Sequence, residues 1–231
     1  MQNTITPFSN DTFFAMFTHD LKTPINSGIF ALEMLLKNTA DNLNDSQKEL
    51  LTDILNASKY MKTLTENALC KFKSESGKFV LHKENCSIKK LTEKCIAETK
   101  YILTEKNQTL NFICEEKDIS SYVDIIEISR VITNLISNAS KYSPKNSSID
   151  VTLKQLNKKV YFEIQDYGYG ISIEKLSSVF DQYTRILNKE KSAGTGLGLY
   201  ITKIIIDAHD GEIKINSKEN KGTKISFSIP Q

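Results

Sequence analysis

Residues 17–24, Phe-Thr-His-Asp-Leu-Lys-Thr-Pro, set an imidazole (His19) beside a carboxylate (Asp20), with a hydroxyl (Thr23) four positions after the histidine. A neutral imidazole is a usable nucleophile near pH 7, and a neighbouring carboxylate can fix the tautomer that leaves its other nitrogen free. A second group, Asn134, Asn138 and Lys141, recurs at i, i+4 and i+7, so the three share one face of any helix that carries them. A side-chain amide oxygen is a hard ligand suited to Mg²⁺, an ion that keeps several waters and binds largely through substrate phosphates. Lysine adds a phosphate counter-charge. Two asparagines inside a helix cost propensity, and a packed core returns nothing for them.

Two glycine motifs complete the set. Asp166-Tyr167-Gly168-Tyr169-Gly170 follows an alternating apolar run, and Gly194-Thr195-Gly196-Leu197-Gly198 precedes a helical one. Glycine lets backbone approach a ligand, and a helix N-terminus offers free N–H groups to phosphates. Taken alone, Gly-Thr-Gly-Leu-Gly fits a tightly packed helix entry equally well: it lacks the preceding strand of a dinucleotide fingerprint and the Gly-Lys-Ser/Thr of a P-loop. Joined to the Asn134–Lys141 face, it reads as part of a nucleotide site.

The elements that must hold these groups fall into two parts. The first 74 residues read as two helices. Apolar positions at Phe14, Phe17, Leu21, Ile25, Ile29, Leu32 and Leu36 line one face of a helix over about 11–37. A turn follows, with Asp45 or Ser46 as N-cap, and then a second stripe at Leu50, Ile54, Ala57, Met61, Leu64 and Ala68, stepping by four and three as in a coiled-coil seam. Leu51, Leu55, Leu69 and Phe72 widen that stripe beyond what one partner helix covers, so the hairpin is expected to dimerise into a four-helix bundle. Residues 75–78 read as a linker, and 79–231 as a mixed α/β domain. Strands are expected at 78–82, 109–114, 148–155, 160–166, 212–217 and 223–229, with helices after an N-cap at Ser87, at 124–142 and at 196–209. The pattern predicts an α/β sandwich, one sheet covered on one face by helices.

Composition excludes several classes. With 231 residues, 39% hydrophobic, 25% charged and a formal charge of +2, the chain carries no basic stripe that would call for nucleic acid. No apolar run approaches the ~20 residues of a membrane span, and the N-terminus lacks a signal-peptide pattern, so a cytoplasmic protein, or the cytosolic portion of a larger one, is expected. Cys70, Cys86, Cys95 and Cys114 have no metal-ligand spacing and read as small buried apolar residues.

In order and spacing, His-Asp-Leu-Lys-Thr-Pro at 19–24, Asn-Leu-Ile-Ser-Asn-Ala-Ser-Lys-Tyr at 134–142, Asp-Tyr-Gly-Tyr-Gly at 166–170, Val-Phe-Asp-Gln-Tyr-Thr-Arg at 179–185 and Gly-Thr-Gly-Leu-Gly-Leu at 194–199 resemble the H, N, G1, F and G2 boxes of sensor histidine kinases of two-component systems. The resemblance spans 13–230. It implies a dimerisation and histidine-phosphotransfer hairpin followed by a Bergerat-fold ATPase domain of the kind shared with gyrase, MutL and heat-shock chaperones. Carried over, His19 matches the phospho-acceptor, Asp20 the acid that orients it and takes its proton, and Thr23 a position implicated in dephosphorylating the partner regulator. Asn138 matches the Mg²⁺ ligand, with Asn134, Lys141 and Tyr142 alongside the nucleotide. Asp166 matches the acceptor of the adenine amino group, with Gly168 and Gly170 giving the backbone access to the base. Phe180 and Arg185 match the F box. Gly194, Thr195, Gly196, Leu197 and Gly198 match the phosphate-side end of an ATP lid over about 181–193.

The implied activity is an ATP- and Mg²⁺-dependent protein-histidine kinase that phosphorylates His19 and transfers the phosphoryl group to an aspartate on the receiver domain of a response regulator. Asp20 and Thr23 together add regulator phosphatase activity. The rivals are a catalytically silent nucleotide-binding module that docks regulators, and a mechanical Bergerat ATPase. Intact His19, Asn138 and Asp166 favour the kinase. With eighteen residues before His19, the input is expected from a partner, the dimer interface or a region this chain does not include. Phosphorylation within or between protomers depends on the handedness of the 38–44 loop, which sequence does not give.

Several positions depart from the family pattern. Ala193 and Asp210 stand where glycine is common. Tyr167 and Tyr169 are bulky for an adenine pocket, so they either narrow it or point outward, whereas Tyr183 fits the aromatic slot after Phe180. His82, on an expected edge strand, and His209, at a helix end, read as structural. Pro24 removes a helical donor and should bend or loosen the turn that carries His19.

Overall fold

A computed structural model describes residues 10–38, 42–182, 184 and 196–231, and their side chains from Asp20 onward with the exception of Asn38. The chain divides into two compact units, Met1–Phe79 and Val80–Gln231.

The first unit is a helical hairpin, α1 (Asn10–Asn38) and α2 (Asp45–Glu75). Helix α1 runs through Pro24. Helix α2 is N-capped by Asn44, not by the expected Asp45 or Ser46. Asn44 Oδ1 accepts from the Gln47 N–H at 2.8 Å while Gln47 Oε1 accepts from the Asn44 N–H at 3.0 Å, a reciprocal capping box that only asparagine with glutamine three residues later provides here. The antiparallel helices are bridged by Lys22–Glu66 at 3.3 Å and Glu33–Lys59 at 2.8 Å. Both pairs are solvated, and each contributes about 0.5 kcal/mol or less. Leu55 is buried, and Ile25, Ile29, Leu32 and Leu36 of the predicted α1 stripe are partly buried, as is Leu64 on α2. Leu50, Ile54 and Met61 of the predicted α2 seam stay exposed, Leu50 at 61%, as do Phe30, Met34 and Leu35 outside the α1 stripe, Phe30 at 65%. On α2 the seam residues Leu50, Ile54 and Met61 are therefore left uncovered by the hairpin itself.

The second unit is built on a five-stranded sheet of order β2-β4-β5-β7-β6, comprising β2 (Thr109–Ile113), β4 (Ser148–Leu156), β5 (Lys159–Asp166), β6 (Glu212–Lys218) and β7 (Gly222–Pro230). β2 runs parallel to β4 and every other pairing is antiparallel. A separate ribbon pairs β1 (Glu84–Ser87) with β3 (Ser120–Val123). Three longer helices, α3 (Ile88–Glu105), α4 (Ile125–Tyr142) and α6 (Gly198–Ala208), pack together, with α4 on β5 and α6 on β6 and β7; a single turn, α5 (Ile173–Leu176), completes the unit. The expected α/β sandwich is the observed architecture.

Period-two alternation in β5 turns Val160, Phe162, Ile164 and Asp166 to the covered face, where Phe162 stacks on Phe227 at 5.0 Å. Helix α4 answers with Ile128, Val131, Ile132, Leu135, Ile136 and Ala139, all buried at helical spacing. Each such isoleucine or leucine contributes roughly 2 kcal/mol relative to an exposed one.

Two expectations differ from the structure. Residues 78–82 are not a strand; β1 lies at Glu84–Ser87, where it finds an antiparallel partner in β3. Val80 is left 70% exposed. Helix α6 starts at Gly198 and not at 196, since Gly196 holds φ +70°, outside the right-handed helix. All four cysteines are free thiols; Cys70 and Cys95 are buried, and Cys86 and Cys114 only partly so.

His209 is structural, as its position at a helix end suggested. Its Nε2 accepts from the Asp124 N–H at 3.0 Å, which leaves Nδ1 as the donor to the Ile205 carbonyl at 2.8 Å. The ring is 2% exposed, and burial holds it below its ordinary pKa. Asp124 also N-caps α4 and accepts from the His82 N–H at 2.8 Å. Next to His209, Asp210 adopts φ +58°, the left-handed turn that glycine more often fills at a helix end. A depressed folded-state pKa means the unfolded chain takes up the proton first. The stability from the neutral ring is thus present above pH 6.5, the ordinary value, and is lost as pH falls below it. His209→Ala is expected to cost about 2 kcal/mol in chemical denaturation at pH 8, because the Asp124 N–H loses its partner, and the difference from the parent should shrink below pH 6.

Candidate active site

The second unit gathers its polar chemistry where α4, the end of β5 and the start of α6 meet. Asp166 closes β5 on the covered face, so its carboxyl is desolvated; it is 7% exposed. Burial pushes its pKa up to about 6, although hydrogen bonds from the Gly168 and Thr223 N–H groups pull the other way. Both bonds, at 2.9 and 3.2 Å, land on Oδ1, leaving Oδ2 to face an incoming donor. Thr223 was not foreseen, because a backbone donor from a distant strand leaves no mark in the sequence.

Gly168 is required by its neighbours. A Cβ there would sit 2.1 Å from the Tyr142 carbonyl oxygen, and one at Gly170, where φ is +66°, would sit 2.0 Å from that of Lys218. These glycines bring chain against chain, a requirement additional to the approach of chain to base that the sequence suggested. The result ties the Asp166 turn to the end of α4, with the Tyr169 N–H donating to the Tyr142 carbonyl at 3.2 Å. Tyr167 points outward: its hydroxyl donates to Asp150 Oδ2 at 2.6 Å, and half of the residue is exposed.

Along α4, Asn134 and Asn138 flank the buried stripe, both partly buried. Asn138 Nδ2 donates to Asn134 Oδ1 at 3.5 Å, and Asn134 Nδ2 donates to Thr202 Oγ1 on α6 at 2.8 Å. This chain of amides has a direction: each NH₂ is used toward α6, so Asn138 Oδ1 is left as the terminal oxygen. One neutral oxygen suits a Mg²⁺ held mainly by phosphates and water, and not a transition metal in a protein cage. Among the described residues no cluster of three or more His, Cys, Asp or Glu could hold a metal. Lys141 carries its ammonium 5.0 Å from the centre of the Tyr142 ring. Burial also raises the Tyr142 phenol.

Helix α6 starts against this group. Gly198 has no room for a Cβ, which would lie 2.6 Å from Asn134 Oδ1. Among the described residues no side chain caps the helix, and a helix N-terminus of this kind suits an anion. Leu197 is buried, Gly196 is partly exposed, and Phe180 is half-buried in the turn after α5. Gln182 donates to the Tyr200 hydroxyl at 2.9 Å, joining the F-box segment to α6. Arg185, Gly194 and Thr195, with Tyr183, Ala193 and most of the expected lid, lie outside the described residues.

In the first unit His19 lies within α1, its side chain outside the description, and Asp20 and Thr23 are exposed within the following turn. Residues 39–41 of the hairpin loop are likewise outside the description.

Comparison with known proteins divides the chain in the same order. Residues 9–77 match the His Kinase A (phospho-acceptor) domain, and 123–231 match the histidine kinase-, DNA gyrase B- and HSP90-like ATPase family. The chain is 29% identical over 221 residues to sensor histidine kinase YvrG of Bacillus subtilis, covering 95% of this chain and 38% of that protein. It is 32% identical over 218 residues to sensor protein KdpD of Clostridium acetobutylicum, covering 93% and 24%. It therefore spans well under half the length of either relative. The fold resembles that of full-length ShkA in complex with AMPPNP, with TM-score 0.72 and 18% identity over 94% of this chain and 45% of the other.

Proposed function

The chain belongs to the sensor histidine kinases of two-component systems, and from that premise we propose that it is an ATP-dependent kinase that phosphorylates its own His19 and passes the phosphoryl group to an aspartate on a response regulator. The observation that carries this reading is the directed amide chain ending at Asn138 Oδ1, one helical turn from Lys141 and beside the uncapped start of α6. Together these offer a metal ligand, a counter-charge and backbone donors to a triphosphate. Asp166 Oδ2 then accepts from the adenine amino group at the far end. Asn138 Oδ1 would be the protein's ligand to a Mg²⁺, which when bound would supply neutralisation of the phosphates' charge.

His19 supplies the nucleophile. Its free ring nitrogen forms the N–P bond as the bond to the ADP oxygen breaks, and Asp20 takes the ring proton. The phosphoryl group then passes from His19 to a carboxylate oxygen of the regulator, which restores the imidazole. Thr23, one turn on, would orient a water for a separate task, hydrolysis of the regulator's phosphoryl group. The exposed Leu50, Ile54 and Met61 favour a homodimer through the hairpin, in which a second copy covers them. No helix of the described residues is long and apolar enough to cross a membrane, and the activity is assigned to the cytosol, alone or as part of a longer sensor kinase.

The test is incubation of the chain with Mg²⁺ and ATP labelled at the γ-phosphate. An acid-labile, base-stable label on the protein is expected. Bound nucleotide without label would leave the silent module, and hydrolysis without a phosphoprotein would leave the mechanical ATPase. Asn138→Ala should lower the labelling rate about a hundredfold, on the order of 3 kcal/mol of transition-state stabilisation, while Mg²⁺-free ADP binds as it does to the parent.

A further inference from the structure

The last carbonyls of an α-helix have no partner inside it. A glycine in the left-handed conformation commonly closes such an end through backbone alone. Helix α4 does not end that way: Ser143, its C-cap, is extended at φ −101° and ψ 148°. The orphan carbonyls converge instead on one side chain. The Lys106 ammonium, from the residue that caps α3, donates to the carbonyls of Ser140 at 2.8 Å, Lys141 at 3.0 Å and Ser143 at 3.2 Å. Three carbonyl oxygens around one positive charge resemble the shell such oxygens give a monovalent cation.

Gln108, buried two residues on, reinforces the end. Its amide nitrogen reaches the carbonyls of Ser140, Ser143 and Pro144, and its oxygen accepts from the Ser140 hydroxyl at 2.6 Å. The remaining carbonyl of the turn, that of Tyr142, is taken by the Tyr169 N–H. The turn that carries Lys141 and Tyr142 is thus gripped on one side by a cation and on the other by the Asp166 loop. Only the first grip is independent of the base-binding end.

We propose that Lys106 is a positioning residue for the phosphate side of the site, a tethered cation that sets the α4 turn so that Lys141 meets the nucleotide's phosphates. This rests on the reading of Asn138 and Lys141 as the metal and phosphate end. Loss of the ammonium should therefore weaken a triphosphate and spare the nucleoside, which Asp166 holds through its base.

The experiment measures binding of ATP and of adenosine to the full chain by competition with trinitrophenyl-ATP. Lys106→Met keeps the length of the stem and removes the charge. The dissociation constant for ATP should rise about tenfold and that for adenosine less than about twofold. If the parent binds ATP but Lys106→Met binds it equally well, or loses ATP and adenosine in equal proportion, the proposal is overturned. A parent that binds no ATP would instead overturn the nucleotide reading beneath it. Should Lys106→Met not fold, Lys106→Ala is compared in ammonium chloride and in tetramethylammonium chloride of equal concentration. Recovery of ATP affinity in ammonium alone supports the tethered cation, and equal affinity in the two salts overturns it.

Discussion

His19→Gln is expected to abolish phosphoryl incorporation, with at least a thousandfold loss of label, while the affinity for ATP stays within about twofold of the parent. The two halves of this expectation come from different parts of the chain. Glutamine is a good helix former and keeps a polar side chain of similar length, so α1 should persist. Its amide nitrogen has no lone pair available for attack on phosphorus, because that pair is delocalised into the carbonyl. The groups proposed to hold nucleotide, Asn138 and Asp166, belong to the second unit, which has its own core. Label that persists in His19→Gln would move the acceptor to another residue.

Asp166→Asn should weaken ATP binding about a hundredfold, near 2.7 kcal/mol, for a reason the geometry makes specific. The Gly168 and Thr223 N–H groups both donate to Oδ1. An asparagine must offer its carbonyl oxygen to that pair, so its NH₂ would then stand where Oδ2 stood. An adenine amino group would meet a donor, and two donors facing each other in a desolvated site leave both unsatisfied. A base with a carbonyl at the same position, hypoxanthine for example, should lose far less and narrow the gap between ITP and ATP in competition binding.

The same carboxyl predicts a pH dependence. Burial raises its pKa to about 6. Because Oδ1 already accepts two N–H groups, the added proton would sit on Oδ2 and set a donor against the adenine amino group, so affinity should fall as pH drops through 6. Asp166→Asn should lack that fall, and the parent-to-variant ratio cancels ionisation of the nucleotide's own phosphates. For folding the sign is opposite. A raised pKa means the folded chain holds its proton longer, so the protonated form's stability is lost as pH climbs from 3.8 to about 6. Measured relative to Asp166→Asn, which cancels the opposite contribution of His209, an apo parent that loses stability as pH climbs toward 6 and a nucleotide complex tighter above it would together mark this one group.

Much of this was legible in residue types and spacing, and what was not has a common cause. The apolar alternation of β5 already places Asp166 in phase with Val160, Phe162 and Ile164, and the i, i+4, i+7 spacing already gathers Asn134, Asn138 and Lys141. Such patterns are local, and one element suffices to express them. Thr202, Thr223 and Lys106 act across 68, 57 and 34 residues of sequence respectively, and their roles exist only once the sheet order is set. The misplaced strand at 78–82 failed for the same reason, since a strand is defined by its partner. Gly168 was recognised as necessary, but the cause was assigned to a ligand. The structure supplies a nearer cause in the carbonyl of Tyr142.

The outward-facing seam of the hairpin carries a consequence for how much protein must be present. Leu50, Ile54 and Met61 are left in water by a single chain. In the proposed homodimer a second copy covers them, so assembly would follow the square of the protein concentration while the fold of the second unit would not depend on it. At low abundance the chain would then be a nucleotide-binding unit attached to an incompletely buried hairpin, and its phosphotransfer would rise more steeply than in proportion to the number of chains. In that proposed homodimer, copy number itself would become a setting of the signal, through the apolar side chains the hairpin leaves uncovered.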